Sequence, residues 1–157
     1  MGIKIECVAL DLDRTTLNVQ GKLSPGNLRA IEQAINAGIH IVIASGRAYS
    51  TLPTEVTGIA GIEYAVTSNG AAIYRISDHT CLKQYKIRSA SVDTILKMSA
   101  DEPVTYEAFV DGAAYADRDF IATPGKYGTS PQAVEYVKNT RHLEPDIVQF
   151  IKAHMDE

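Results

Sequence analysis

The stretch Cys7-Val8-Ala9-Leu10-Asp11-Leu12-Asp13-Arg14-Thr15 sets the reading of the whole chain. It opens as an unbroken apolar run and closes on two carboxylates one residue apart. A continuous apolar run of this length suits a β-strand buried on both faces, as in a parallel sheet. Cys7 within it reads as a small core residue. Two acids at the end of such a strand bring no structural gain, because crowded like charges repel unless a cation sits between them. A plain solvated strand end therefore competes with a sharper reading. In that reading the acids hold a hard cation through oxygen ligands, and one carboxylate acts as a nucleophile.

Outward from the acids, a polar loop runs from Asn18 to Lys22. Ser24-Pro25 reads as an N-cap with proline in the first helical turn. Leu28, Ile31, Ala34 and Ile35 fall on one helical face, and Gly38 is placed to end the helix. Residues 39–44 form a second apolar strand. Strand, helix and strand in this span read as a βαβ unit with two parallel strands, whose carboxyl ends share one edge of the sheet. Ligands bind at that edge in open α/β sheets. The second strand delivers Ser45-Gly46-Arg47 there: a hydroxyl, a glycine that admits close backbone approach, and a guanidinium, all suited to an anionic oxygen. Taken alone, Ser45 reads as a helix cap; beside Asp11 and Asp13 it reads as a ligand. Residues 48–56 are expected to be helical, with Pro53 kinking or restarting the helix. Residues 63–67 form a third strand, which ends in the polar turn Ser68-Asn69-Gly70-Ala71. Alone, that would be an ordinary Asn-Gly turn.

From Ala72 the pattern changes. Residues 73–76 and 82–87 read as an antiparallel hairpin about a turn at 77–79. Residues 91–100 read as a helix stopped by Pro103. Residues 104–110 and 113–116 flank Asp111-Gly112, a strong two-residue hairpin turn. Ser130-Pro131 opens a short helix through Val137. Leu143, Ile147, Phe150 and Ile151 mark a final amphipathic helix. Tyr106, Phe109 and Tyr115 read as packing residues rather than a stacking platform. The fold expected is α/β: a Rossmann-like parallel three-layer core over residues 1–87, in its N-terminal half only, and a partial α+β cap over 88–157.

Composition narrows the function. The chain has 157 residues, 45% of them hydrophobic, enough for a core and against disorder. A formal charge of -4 without a basic run argues against nucleic acid. Cys7 and Cys81, and the four histidines, match no metal or redox spacing. No long apolar segment indicates a membrane protein, and a reducing cytoplasm is the expected location. There is no Gly-x-Ser-x-Gly nucleophile elbow and no Gly-x-x-x-x-Gly-Lys phosphate loop.

Asp11-Leu12-Asp13-Arg14-Thr15 resembles the first motif of the haloacid dehalogenase superfamily, Asp-x-Asp-Gly-Thr. Ala44-Ser45-Gly46-Arg47 and Thr67-Ser68-Asn69-Gly70-Ala71 look like the second motif and substrate loop of its Cof-type branch. That branch comprises magnesium-dependent sugar-phosphate and nucleotide phosphatases with a large α/β cap. The resemblance implies Asp11 as nucleophile forming an aspartyl-phosphate, and Asp13 as general acid and base. It implies Mg²⁺ on Asp11 and the main-chain carbonyl of Asp13. Ser45 and Gly46 would meet the phosphoryl group, and Arg47, Asn69 and Gly70 would face the substrate.

Three departures stand out. Arg14 replaces the family's glycine, and is strained if the turn needs positive φ. Thr16 replaces an apolar residue. The family's lysine beyond the cap and its Gly-Asp motif find no match, since no Gly-Asp pair occurs and Lys138 and Lys152 lie in the cap region. The chain is thus expected to stop inside the cap and to be slow in turnover. The strand of residues 7–10, central in the family, would then become an edge. A homo-oligomer, or pairing with a missing C-terminal half, is the expected partner besides a small phosphorylated metabolite. The rival readings are a non-catalytic phospho-ligand-binding or assembly fragment, and a phosphoacceptor signalling domain. The latter would want an aspartate where Thr67-Ser68-Asn69 stands.

Overall fold

The computed structural model describes residues 4–131 and 133–156. It divides into two compact units, Met1–Gln84 and Tyr85–Glu157. The first unit carries one five-stranded sheet: β1 (Cys7–Leu10), β2 (His40–Ala44), β3 (Ile62–Thr67), β4 (Ala72–Arg75) and β5 (Thr80–Gln84), side by side in that order. β1 to β3 run parallel and β3 to β5 antiparallel. The βαβ unit is as the sequence indicates. Helix α1 (Pro25–Asn36) is capped by Ser24, whose Oγ accepts the Asn27 N–H at 3.1 Å, and Gly38 leaves it at φ +79°.

The core of this unit is a single cluster. Ile41 and Ile43 from β2 meet Ile31 of α1, Leu12 and Leu17 from the first turn, and Val56 and Ile59. Full burial of one such side chain is worth about 1.5–3 kcal/mol. β2 alternates between buried Ile41 and Ile43 and half-buried neighbours, because it has a partner strand on both sides.

β1 is the edge of the sheet, as expected for residues 7–10, but Cys7 and Ala9 are exposed rather than buried on a second face. An apolar run shows what a strand can bury, and only its neighbours decide what it does bury. Over 48–56, of the two outcomes expected at Pro53, a kink or a restart, the structure takes the restart, and the helical segments are shorter than expected. A 3₁₀ turn (Tyr49–Thr51) and the single turn α2 (Thr54–Thr57) stand there, with Pro53 between them at φ -65°. Proline has no N–H to continue the helix, so it restarts the chain rather than bending it.

The second unit holds α3 (Ser89–Met98), β6 (Glu107–Val110), β7 (Ala113–Ala116), α4 (Arg118–Ala122), α5 (Val134–Thr140), β8 (His142–Leu143) and α6 (Ile147–Ala153). Its sheet runs β6-β7-β8, antiparallel then parallel. Asp111 and Gly112 make the tight turn with φ of +47° and +78°, the signs that a two-residue hairpin loop of this type requires. The helix expected from Ser130 begins only at Val134 and runs to Thr140; part of the expected start, Gln132, lies outside the described residues. Leu143, expected in the last helix, pairs with Ala116 in β8 instead. Tyr106 precedes β6 and bonds Ser99 through its hydroxyl, whereas Tyr115 packs 4.5 Å from the Phe150 ring.

Candidate active site

Three parallel strands send their carboxyl ends to the same edge of the sheet, and each is followed by a polar turn. After β1, Asp11 is still extended at φ -68°, ψ 144°. The chain then closes a wide turn in which the N–H groups of Thr16 and Leu17 reach back five residues, to the Asp11 and Leu12 carbonyls, at 3.2 and 2.8 Å. Leu12 is fully buried between two exposed aspartates. Arg14 turns the chain at φ 62°, ψ 11°. Asn27 Nδ2 of α1 donates to the Thr16 carbonyl at 2.8 Å and fixes the end of the turn.

The side chains are tied across strands. Thr15 Oγ1 donates to Asp11 Oδ2 at 2.6 Å. Arg47, on the turn after β2, grips Asp13 with both ends of its fork, Nε to Oδ2 at 3.0 Å and Nη2 to Oδ1 at 2.6 Å. Its Nη1 donates to the Thr51 carbonyl at 3.3 Å. A bidentate arginine–carboxylate pair fixes orientation as well as distance. The resemblance assigns Arg47 to the substrate; here its guanidinium lies on Asp13.

Ser45 is buried, and its Oγ accepts the Arg47 N–H at 3.2 Å, a local turn with no helix beginning there. The Ser45 N–H goes to Val66 of β3, and the Ser68 N–H goes back to the Arg47 carbonyl, both at 2.9 Å. Ser68, Asn69 and Gly70 follow one another at φ of +51°, +55° and +93°. This run presses the Asn69 amide onto Gly46, where a Cβ would stand 2.7 Å from Asn69 Oδ1. A side chain at 46 would push the Asn69 amide out of this position. All seven residues singled out in the sequence — Asp11, Asp13, Ser45, Gly46, Arg47, Asn69 and Gly70 — lie on these three adjoining turns. Direct contacts join Asp13 to Arg47, Ser45 to Arg47, and Gly46 to Asn69.

Thr15, the last residue of the first motif but given no role by the sequence, holds Asp11. Other participants carried no sequence signal: Thr51 holds Arg47 through its carbonyl. Tyr49, two residues beyond Arg47, stacks on Tyr74 of β4 with ring centroids 4.1 Å apart, and its hydroxyl meets His79 Nδ1 at 2.7 Å. Burial, then the nearby Asp78 charge, push the Tyr49 hydroxyl above its ordinary value. A cavity of about 540 Å³ lies elsewhere, lined by Leu28, Glu32, Ile35, Thr54, Glu55 and Ile59 among others, and holds none of the site residues.

Among the described residues no group of three or more His, Cys, Asp or Glu side chains is placed to hold a metal ion. Mg²⁺ keeps several waters and needs only one or two carboxylates plus substrate phosphate oxygens. Asp11, with one oxygen engaged by Thr15, and the Asp13 main chain suit that pattern. The Asp13 carboxylate is already matched by Arg47.

Residues 8–155 match the family model for haloacid dehalogenase-like hydrolases. The chain belongs to this family. Among curated relatives, phosphatase YwpJ of Bacillus subtilis is 27% identical over 119 residues, 73% of this chain and 40% of its own length. The 5-amino-6-(5-phospho-D-ribitylamino)uracil phosphatase YcsE of the same bacterium is 31% identical over 72 residues, 46% of this chain and 29% of its own. A solved haloacid dehalogenase-like hydrolase from B. subtilis superposes with a TM-score of 0.71 at 21% identity, covering 94% of this chain and 57% of that one. The chain thus spans well under half the length of these curated relatives. No helix among the described residues is long and apolar enough to cross a membrane.

Proposed function

We propose that the chain carries the phosphoryl-transfer edge of a Mg²⁺-dependent phosphatase acting on a small phosphorylated metabolite of the sugar-phosphate or nucleotide type. Family membership and the phosphatase relatives support the class. The observation that carries the residue roles is the Asp13–Arg47 pair, which ties the turn after β1 to the turn after β2 beside Asp11. Asp11 attacks phosphorus and the ester P–O bond breaks; to give a proton to the leaving oxygen, Asp13 first takes one up from solvent and leaves the Arg47 fork, which holds it as a carboxylate. Water then attacks the aspartyl-phosphate, Asp13 takes its proton, and phosphate leaves with Asp11 regenerated. Ser45 and the Gly46 backbone hold the phosphoryl oxygens, with Asn69 and Gly70 at the substrate. Asp11 and the Asp13 main-chain carbonyl would hold Mg²⁺, which would offset negative charge on the transferring group.

Residues 1–87 serve as core and 88–157 as part of a cap that selects the substrate. β1 has a partner strand on one side only, so it takes a further strand from a second copy or from a C-terminal half supplied separately. The two free thiols, Cys7 and Cys81, fit a cytoplasmic setting.

The second reading is a non-catalytic phospho-ligand-binding or assembly fragment, favoured by the Arg47 fork, which occupies both oxygens of the Asp13 carboxylate. One assay separates the two. Phosphate release from an aryl phosphate that needs Mg²⁺ and disappears in Asp11→Asn supports the enzyme. Ligand binding with no release at high protein and Mg²⁺ supports the fragment.

A further inference from the structure

The Arg47 guanidinium is held from behind as well as by its grip on Asp13. Its Nη1 donates to the Thr51 carbonyl at 3.3 Å, and that carbonyl belongs to the 3₁₀ turn Tyr49–Thr51. The turn closes through the Thr51 N–H to the Ala48 carbonyl at 3.0 Å and the Leu52 N–H to the Tyr49 carbonyl at 3.2 Å. So short a piece of 3₁₀ helix is weakly held by its own backbone bonds, and it needs outside support. Leu52 anchors one end in the core. Tyr49 anchors the other: its ring lies flat on buried Tyr74 of β4, with centroids 4.1 Å and planes 13° apart, and its hydroxyl meets His79 Nδ1 at 2.7 Å.

His79 stands at the tip of the β4–β5 hairpin with a left-handed backbone, φ +58°, which side chains adopt rarely. The residue before it is clamped. Asp78 accepts from Arg75 Nε at 3.0 Å and Nη2 at 2.7 Å, and from the Thr80 N–H at 3.2 Å. A side chain kept at an uncommon φ points to a use for it, and the bond to Tyr49 is such a use. A continuous run of contacts thus leads from the hairpin tip through Tyr49 and its turn to Arg47 and Asp13.

We propose that Tyr49 and His79 are positioning residues for phosphoryl transfer: they hold the Thr51 carbonyl where it keeps the Arg47 fork on Asp13, the residue that protonates the leaving oxygen. This role rests on the phosphatase reading and deepens it. Asp13 leaves the fork to take up a proton and returns to it as a carboxylate, so the guanidinium sets where the acid stands before and after the step. A loosened fork costs most where the leaving oxygen most needs its proton, on an alkyl ester. It costs least on an aryl ester, whose phenolate leaves readily without one.

The test follows phosphate release by the full chain in Mg²⁺ from propyl phosphate and from 4-nitrophenyl phosphate, and compares the ratio of the two kcat/KM values across variants. This ratio reports the steps up to departure of the leaving group, so hydrolysis of the aspartyl-phosphate does not enter it. A loss of folded protein lowers both substrates alike and leaves the ratio in place. Tyr49→Ala is expected to lower the propyl-to-nitrophenyl ratio about tenfold. Tyr49→Phe, which keeps the stack and loses the hydroxyl, and His79→Gly should each lower it about threefold. His79→Gly also relieves the left-handed backbone, which offsets the lost bond, so its fall is expected at an unchanged melting temperature. Exchange of the Arg47 Nε–H, followed by NMR, should quicken in the same variants. A ratio within about twofold of wild type in Tyr49→Ala overturns the proposal and leaves the phosphatase reading standing. A fallen ratio with Arg47 exchange unchanged also overturns it. Release from neither ester by the wild-type chain overturns both.

Discussion

Two arginine–carboxylate pairs, one in each compact unit, look alike on paper and differ in what surrounds them. Both join residues 34 apart in the chain. In the second unit Arg141 is 7% exposed, bonds Glu107 and Thr140 Oγ1, and lies 4.9 Å from the Tyr136 ring centroid. In the first unit Arg47 is similarly enclosed, but its partner Asp13 is 55% exposed. Arg141 therefore has protein on every side that matters to it. Arg47 spans from protein interior to an acid that faces water. The more exposed partner, not the charge pair itself, marks the site: the Glu107 side chain is 30% exposed against 55% for Asp13, so the Arg141 pair chiefly holds the fold and the Arg47 pair can also present a group to a ligand.

The largest effect is expected where enclosure is greatest. Arg141→Ala leaves Glu107 without its partner and should lower unfolding free energy by about 2 kcal/mol, since Glu107 can still reach water, read by denaturant titration, with phosphate chemistry unaltered. A loss below about 1 kcal/mol would place the pair with ordinary surface bridges and remove the contrast. Arg47→Ala should reverse the emphasis. Its stability loss is expected to be about 1 kcal/mol, while phosphate release falls at least about tenfold because Asp13 loses its orientation. Arg47→Lys should not restore the rate, since an ammonium cannot reproduce the two-point grip.

Gly46→Ala drives a Cβ against Asn69 Oδ1 and should cost about 1 kcal/mol. Adding Asn69→Ala should recover most of that, which would locate the strain in the contact rather than in the backbone. The smallest effect belongs to a third pair, Arg75–Asp78, with both partners open to water. The hydrogen bond from Arg75 holds the Asp78 carboxyl well below the usual carboxylate range. Its contribution is therefore complete above the unfolded-state value near 4, as a rough figure, and fades as pH falls below it. Asp78→Asn should flatten that part of the acid limb slightly, and a melting series between neutral and acid pH would show it.

Much of the first unit was readable because its signals are local. The Ser24-Pro25 cap, the spacing of Leu28, Ile31 and Ile35, and three apolar runs ending in polar turns each report on a few consecutive residues. The same locality explains the Asp111-Gly112 turn. What escaped depends on residues distant in sequence. Nothing in the order of residues says that Arg47 chooses Asp13, or that Tyr49 chooses Tyr74 and His79. Leu143 was drawn into the last helix by the spacing of Ile147 and Phe150, though pairing with Ala116 decides its state. Helix α4 went unread because five residues give no period. Asp117, whose side chain accepts the Phe120 N–H at 2.7 Å, was the one signal for it.

Leu12 carries a consequence of its own. It is the peg that anchors the turn in the core, and it is also the spacer that sets Asp11 and Asp13 apart. A substitution that repacks the interior at this point also re-aims the acids on either side of it, so packing and chemistry are coupled through one side chain.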